Sequence, residues 1–334
     1  MSKSSSSSKK FHFSIDTWLP VIIFLLVAVI FGIATGGQLY STYNLKSIFS
    51  QTVATIIAGL GMIFVAAMGG TDITCGVIVG LVGYFGLLAA TNINPFMLIP
   101  VALLIGLCSG LFLGFLNAKL KVSSFMASLA MLMGLRAVVT YSLSNNSYYM
   151  PDELDFIDGF WFKLIVLIIL VVLIIYIFHY TRFGMYVRAI GENEVAVQHA
   201  GVNVTAVKIG AFVVSGVLAS IAAIFTCARL GGSSSTMGTG FEMKVMMALF
   251  IAGVPVQGGY GTKVYKLLLG APTIMILENG LVLCGASGAV TQLIRGLVLL
   301  GAVSLTAFLG KRFANVGVEA AANQKVVAEE GSKS

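Results

Sequence analysis

Uncharged stretches long enough to cross a bilayer dominate the chain. Between successive charged residues lie 29 uncharged positions at 17–45, 25 at 47–71 and 46 at 73–118. A membrane-crossing helix needs about 20 apolar residues, so the third run is too long for one crossing. Thr91-Asn92-Ile93-Asn94-Pro95 supplies a turn that divides it. Further uncharged runs occupy 164–181, 209–228 and 245–262, and two apolar segments are each interrupted by one charge, Arg136 in 122–142 and Glu278 in 264–286. A last segment covers 289–310. The pattern predicts an all-α polytopic membrane protein with about ten transmembrane helices. The membrane domain then runs 18–310, between polar tails at 1–17 and 311–334. Segment 18–36 lacks a small-residue cleavage site and reads as a retained helix.

Composition excludes the main alternative. Of the 334 residues 58% are hydrophobic and 10% charged, against about 45–50% and about 25% in a water-soluble domain. Too few ionic side chains remain to cover an aqueous surface. Cys75, Cys108, Cys227 and Cys284 sit at unrelated spacings in apolar stretches, which suits small core residues and no metal or disulfide pattern. The net charge of +7 is explained by topology and anionic lipid without a nucleic-acid partner. With the N-terminal tail placed in the cytoplasm and ten crossings alternated, the basic residues of both tails fall inside. So do Lys119, Lys121, Arg182, Arg188, Lys208, Lys263 and Lys266. Only Lys46, Lys163, Arg229 and Lys244 fall outside, and the acidic stretch Asp152-Glu153-Leu154-Asp155 joins them. That bias predicts both termini in the cytoplasm.

The longest polar interruption, 181–208, holds a further element. Gly191 followed by Glu192-Asn193-Glu194 resembles a helix start, with acids placed to complement the helix dipole, and Ala196 follows in its first turns. Gly201 before Val202-Asn203 resembles the stop. The expectation is a helix of two to three turns outside the membrane on the cytoplasmic face. It serves either as a plain connector or, given its length, as a docking element.

Four stretches in order resemble one family. Gly184–Gly201 is similar to the cytoplasmic loop of bacterial ABC-importer permeases of the ribose/xylose/galactose type, whose pattern runs approximately FGR…AIG-x-N…G-I-N. Gly69-Gly70-Thr71-Asp72-Ile73-Thr74-Cys75-Gly76 resembles the family's GGIDLSVG. Ile251-Ala252-Gly253 with Gly258-Gly259-Tyr260-Gly261-Thr262 resembles IGG…GGRGS, and Asn279-Gly280-Leu281 through Gly296-Leu297 resembles NGL…GL. Thr71, Ile73-Thr74-Cys75, Tyr260 and the pair Ala196-Val197 depart from the pattern. The resemblance spans roughly residues 50–310. It implies a transmembrane permease subunit in a bacterial plasma membrane that moves a monosaccharide without a cofactor of its own. ATP is used by a separate cytoplasmic ATP-binding subunit. The other implied partners are a second permease subunit, identical or different, an extracytoplasmic sugar-binding protein and the surrounding lipid. Gly191, Glu192, Asn193, Glu194, Ala196 and Gly201 then form the loop that couples to the ATPase.

Candidate chemistry inside the membrane is sparse. Asp72, with Thr71 and Thr74, either caps the next helix or lines the solute path. Glu278 and Asn279 lie in mid-segment, where Glu278 either pairs with Arg295 or hydrogen-bonds a hydroxylated solute. Arg136 is expected to reach the outer interface. The glycine-rich run 231–240, with 145–158, is expected as outer surface for the binding protein. Gly106, Gly110 and Gly114 share one helix face and suit close packing. Neither a phosphate-binding G-x-x-x-x-G-K-[ST] loop nor a Ser/His/Asp set is present, and His12, His179 and His199 stand apart. No catalytic or metal-binding residue is therefore expected, and energy must come from a partner or a gradient. An ion-coupled secondary transporter using Asp72 and Glu278 is the rival reading.

Overall fold

A computed structural model describes residues 15–144, 146–255, 258–301 and 304. The expected tails at 1–17 and 311–334 therefore lie outside the described residues, apart from the start of the first helix at Ile15. In chain order the helices are α1 (Ile15–Ala34), α2 (Thr42–Ala67), α3 (Cys75–Asn92) and α4 (Pro95–Ala118). They continue with α5 (Ser124–Ser144), α6 (Phe160–Tyr180), α7 (Arg182–His199) and α8 (Val204–Leu230). Last come α9 (Phe241–Ile251), α10 (Val264–Leu283) and α11 (Gly288–Gly301).

Polar residues between the apolar runs became helix caps, which relieve the unpaired N–H groups of a first turn. Ser41 Oγ accepts from Asn44 N ahead of α2, and Asn94 Oδ1 accepts from Phe96 N at the turn expected before Pro95. Asn203 Oδ1 accepts from Ala206 N to open α8, and Gly231, at φ 69°, closes it. Among the described residues seven helices are long and apolar enough to cross a membrane: α2 to α6, α8 and α10. The apolar part of α1 (Pro20–Ala34) and α11 are shorter.

The bundle is built around α2 and α8, which the rest of the chain buries, whereas α6 turns nearly its whole surface outward. The glycine face of α4 lies on α8 as its spacing suggests. A Cβ on Gly110 would stand 2.5 Å from Phe212 O, and Gly106 and Gly216 face each other at similarly close range. Backbones approach this closely only where at least one helix presents glycine at the contact. One end of the bundle, the near end, carries 68–70, 119–123, α7 and 252–263. The far end carries 35–41, 93–94, 146–159 and 284–287.

The structure corrects the expectation for 231–262. Helix α9 has 11 residues, about 16 Å at 1.5 Å per residue, which is half a crossing. Gly253 and Pro255 stop the apolar run that was expected to span 245–262. The glycine-rich stretch 231–240 does not stay on the surface either. It starts at the far end, where Ser233 N donates to Tyr148 O and Met150 N donates to Gly231 O. It then descends along α3, bringing Met237 against Gly83 and Gly238 against Gly76. An irregular segment followed by a half-helix is a shape tolerated at membrane depth only inside protein or beside a cavity.

Two smaller expectations change as well. Cys108 and Cys284 are exposed, whereas Cys75 and Cys227 are buried core residues. Lys163, counted as an outer loop residue, is buried at the head of α6, where its Nζ donates to Ser50 Oγ at 2.7 Å and to Asp158.

Candidate functional site

At the near end the chain brings three of the four motif stretches together. Gly191 lies inside the first part of α7, against the carbonyl end of α2. A Cβ there would overlap Ala67 O and stand 2.6 Å from Gly259 N. Gly259 N donates to Ala67 O at 2.8 Å, and Tyr260 N donates to Glu192 Oε1 at 2.9 Å. Gly258 and Gly259 have φ of 79° and 88°, a region where any side chain is strained. Arg188 reaches the same turn, with its guanidinium carbon 5.0 Å from the centre of the Tyr260 ring. A helix, a helix end and a glycine turn are thus joined by backbone contacts with no room for padding.

Gly191 is consequently not a helix start. Helix α7 begins at Arg182, capped by Thr181 Oγ1 accepting from Gly184 N, and breaks at Asn193, whose φ of −159° and ψ of 98° are not helical. Asn193 Oδ1 accepts from Ala196 N at 3.0 Å and so caps a second short piece ending at His199. Gly201 takes φ 80° just past the end, as the stop signal suggests. The piece after the break projects from the bundle. Glu194 pairs with Lys208 at 2.7 Å, and Val195 and Ala196 are exposed. An exposed valine on a protruding helix turn has no partner among the described residues of this chain.

Asp72 lies between the near end and the middle of the bundle. Its Oδ1 accepts from Thr74 N at 2.9 Å and Thr74 Oγ1 at 2.6 Å, and its Oδ2 accepts from Ser215 Oγ at 2.7 Å, near the middle of α8. All three residues are buried. The carboxylate therefore caps α3 and pins it to α8. Hydrogen bonds to a charged group contribute roughly 1.5–3 kcal/mol each, enough together to hold a charge that costs at least about 2.5–3.5 kcal/mol at membrane depth. Thr71 N donates to Ser124 Oγ at the head of α5.

Farther along, the head of the half-helix meets a group of charges. Glu278 Oε2 pairs with Lys244 Nζ at 2.6 Å, and Glu278 Oε1 lies 2.8 Å from Arg295 Nη2. The ion-pair reading of Glu278 is thus the arrangement observed. Asn279 donates from Nδ2 to Met275 O at 2.7 Å, on its own helix. Arg136 does not reach outward to the interface. Its Nη1 donates to Met237 O at 2.6 Å, on the descending segment. The structure therefore brings Asp72 with Thr74, and Glu278 with Arg295, into separate places, while Thr71 ties its turn to the head of α5 and Asn279 bonds within its own helix.

Sequence reasoning did not single out Glu242, and it placed Lys244 outside. The available signal was the short apolar run after them. Gly253 and Pro255 end it so early that the preceding acid and base must lie at membrane depth.

Comparison with known proteins gives a consistent set of matches. A family model described as branched-chain amino acid transport system / permease component matches residues 44–303. The ribose import permease protein RbsC of Escherichia coli is 31% identical over 294 residues, which cover 84% of this chain and 91% of that protein. The L-arabinose transport system permease protein AraH of Escherichia coli is 30% identical over 322 residues, covering 91% and 95%. The ribose import permease of Haemophilus influenzae is 29% identical over 323 residues, covering 93% and 99%. No solved structure matches the chain.

Proposed function

The chain belongs to the branched-chain amino acid transport system / permease component family, and from that premise we propose that it is the membrane subunit of an ATP-binding-cassette importer for a monosaccharide. Relatives named for ribose, allose, fructose and L-arabinose align over most of its length, and this favours a sugar over the amino acids of the family's heading. The membrane domain is 18–310, crossing about ten times in the plasma membrane of a bacterium, with both tails in the cytoplasm. The near end of the bundle is then the cytoplasmic end. The protein is a transport subunit without a cofactor, and ATP is hydrolysed by a cytoplasmic partner. A second permease subunit and an extracytoplasmic sugar-binding protein complete the assembly.

The observation that carries this reading is the packing of Gly191 and Glu192 against Ala67 and Gly259, with Val195 and Ala196 exposed on the helical piece beyond it. An ATPase that grips that piece moves three elements at once, because no side chain lies between them to absorb the shift. Rigid displacement of packed elements is the usual way such a movement becomes alternating access. The test is uptake in vesicles holding this chain with its ATPase and binding protein. Uptake that needs ATP and all three components, and a disulfide from Val195→Cys to the ATPase, support the reading. Uphill accumulation by this chain alone, abolished by an ionophore, would favour the ion-coupled alternative and overturn it.

A further inference from the structure

The charges at the head of α9 hold more hydrogen-bonding capacity than the protein uses. Glu242 Oε2 and Arg295 Nε are both buried and, among the described residues, meet no hydrogen-bond partner. Such groups cost roughly 1–3 kcal/mol each when left unmet, and buried polar atoms are otherwise nearly always satisfied. Both side chains reach the head of α9: the Glu242 carboxyl carbon lies 3.0 Å from where a Cβ on Gly76 would stand, and Arg295 Nη1 lies 2.9 Å from the corresponding point on Gly240, two residues before Glu242. The charges acting on Glu242 are those of Arg136 and Arg295.

The surroundings fix these groups in place. Arg295 is held by Glu278, and Glu278 by Lys244. Arg136 is held by Met237 O. Glycine at 76 and at 240 lets the carboxylate and the guanidinium approach the backbone where any side chain would exclude them. Glu242 sits at the tip of a segment that enters from the far end and turns there into a half-helix. One acceptor oxygen and one donor nitrogen, each without a hydrogen-bond partner among the described residues, match the two faces of a hydroxyl group, which gives one hydrogen bond and takes another. Water offers the same two faces, so the experiment below is built to separate water from solute.

We propose that Glu242 Oε2 and Arg295 Nε form a station for the hydroxyl groups of the solute in transit, with Arg136, Lys244 and Glu278 as positioning residues. The station rests on the monosaccharide-permease reading above, and it moves the solute contact from Asp72, whose oxygens are bonded within the protein, and from Glu278, which is ion-paired to Lys244 and Arg295, to Glu242. The bond from a sugar hydroxyl to this carboxylate is charge-assisted, so its loss lowers transport by about tenfold to a hundredfold.

The test is a cycle between side chain and substrate. The assembled importer in vesicles is first offered ribose, allose, arabinose and fructose with saturating binding protein, to find the sugar it takes. Each monodeoxy analogue of that sugar is then compared with the parent in the wild type, in Glu242→Gln and in Arg295→Lys. The binding protein's own discrimination enters both sides of each comparison and cancels. For one analogue, the loss caused by the missing hydroxyl and the loss caused by the variant are expected to be non-multiplicative, the pair together costing less than about threefold more than either alone. Losses that multiply for every analogue in both variants would mean that only water or structure uses these groups, and would overturn the station while leaving the importer reading intact. Wild-type importer that takes up none of the sugars would overturn the reading and the station with it. If Glu242→Gln does not reach the membrane, Glu242→Asp carries the same cycle, since it keeps the charge and withdraws the oxygens by one methylene.

Discussion

Replacing Gly191 by alanine should loosen the junction, and the structure sets the size of the effect. The added methyl would overlap Ala67 O and stand 2.6 Å from Gly259 N. Both are backbone atoms, of two different elements, so no rotamer change relieves the clash. Overpacking of this kind costs roughly 1–3 kcal/mol. Losing the 2.8 Å bond from Gly259 N to Ala67 O adds roughly 0.5–1.5 kcal/mol. Alanine returns about 1 kcal/mol through helix propensity, leaving a net loss of about 0.5–3.5 kcal/mol by that sum. The control is Gly134→Ala in α5, where nothing lies within 4 Å of the added atom and only the favourable helix term of about 0.5–1 kcal/mol operates. Thermal unfolding of the purified protein in detergent, followed by circular dichroism, reads the difference. At about 2–4 °C per kcal/mol, Gly191→Ala should melt several degrees below the wild type, and Gly134→Ala at or above it. Equal midpoints for the two variants would refute the close-contact reasoning.

Ser215→Ala should leave Asp72 Oδ2 buried and short of its donor, lowering the melting point by an amount equivalent to roughly 1–3 kcal/mol; an unchanged midpoint would show that water replaces the hydroxyl. Glu278→Gln should strand Lys244 and Arg295 at a cost of about 3–5 kcal/mol, seen as reduced membrane yield, and adding Lys244→Met should restore part of that yield. Glu194→Ala removes an ion pair whose acid is half exposed, so the midpoint should move by less than about 1 kcal/mol equivalent even if ATP-driven uptake falls. A membrane-impermeant maleimide should label Cys284, exposed between α10 and α11 at the far end, in intact cells. Labelling confined to inside-out vesicles would reverse the proposed orientation.

Much of the fold was legible because it rests on two simple signals, apolar length and the residues that interrupt it. Asn94-Pro95 did divide the long run 73–118, and the Gly106–Gly110–Gly114 face did become a packing seam. What failed was the reading of 231–262. Small residues in a row look like a solvated loop, because composition does not distinguish a chain in water from one folded against glycines of a neighbouring helix. The partner surface, Gly76, Gly80 and Gly83 on α3, lies far away in sequence. Near the junction the glycines at 191, 258 and 259 were noticed as a pattern, but their reason is a backbone contact between three segments that no local rule contains. Asp72 and Glu278 drew attention as charges in apolar runs, yet Asp72 is bonded to Ser215 and Glu278 is ion-paired with Lys244 and Arg295. Glu242, which stands beside that group, was not singled out, and its neighbour Lys244 was placed outside.

The half-helix gives the two ends of this arrangement a common part. The turn that meets Gly191 and Glu192 at 258–260 follows α9, which ends at Ile251, and Glu242 stands in the first turn of the same helix. An intact helix of 11 residues transmits displacement along its axis without a loop to absorb it, over about 16 Å at 1.5 Å per residue. A full crossing would have carried such a movement through to the far surface. A half crossing delivers it to the middle of the membrane, where Gly238 and Gly240, both at positive φ, give the segment above a place to bend. On the coupling proposed above, a shift at the near end would reach the surroundings of Glu242 and Arg295 through this short helix, while the bond between Ser233 and Tyr148 holds the far end.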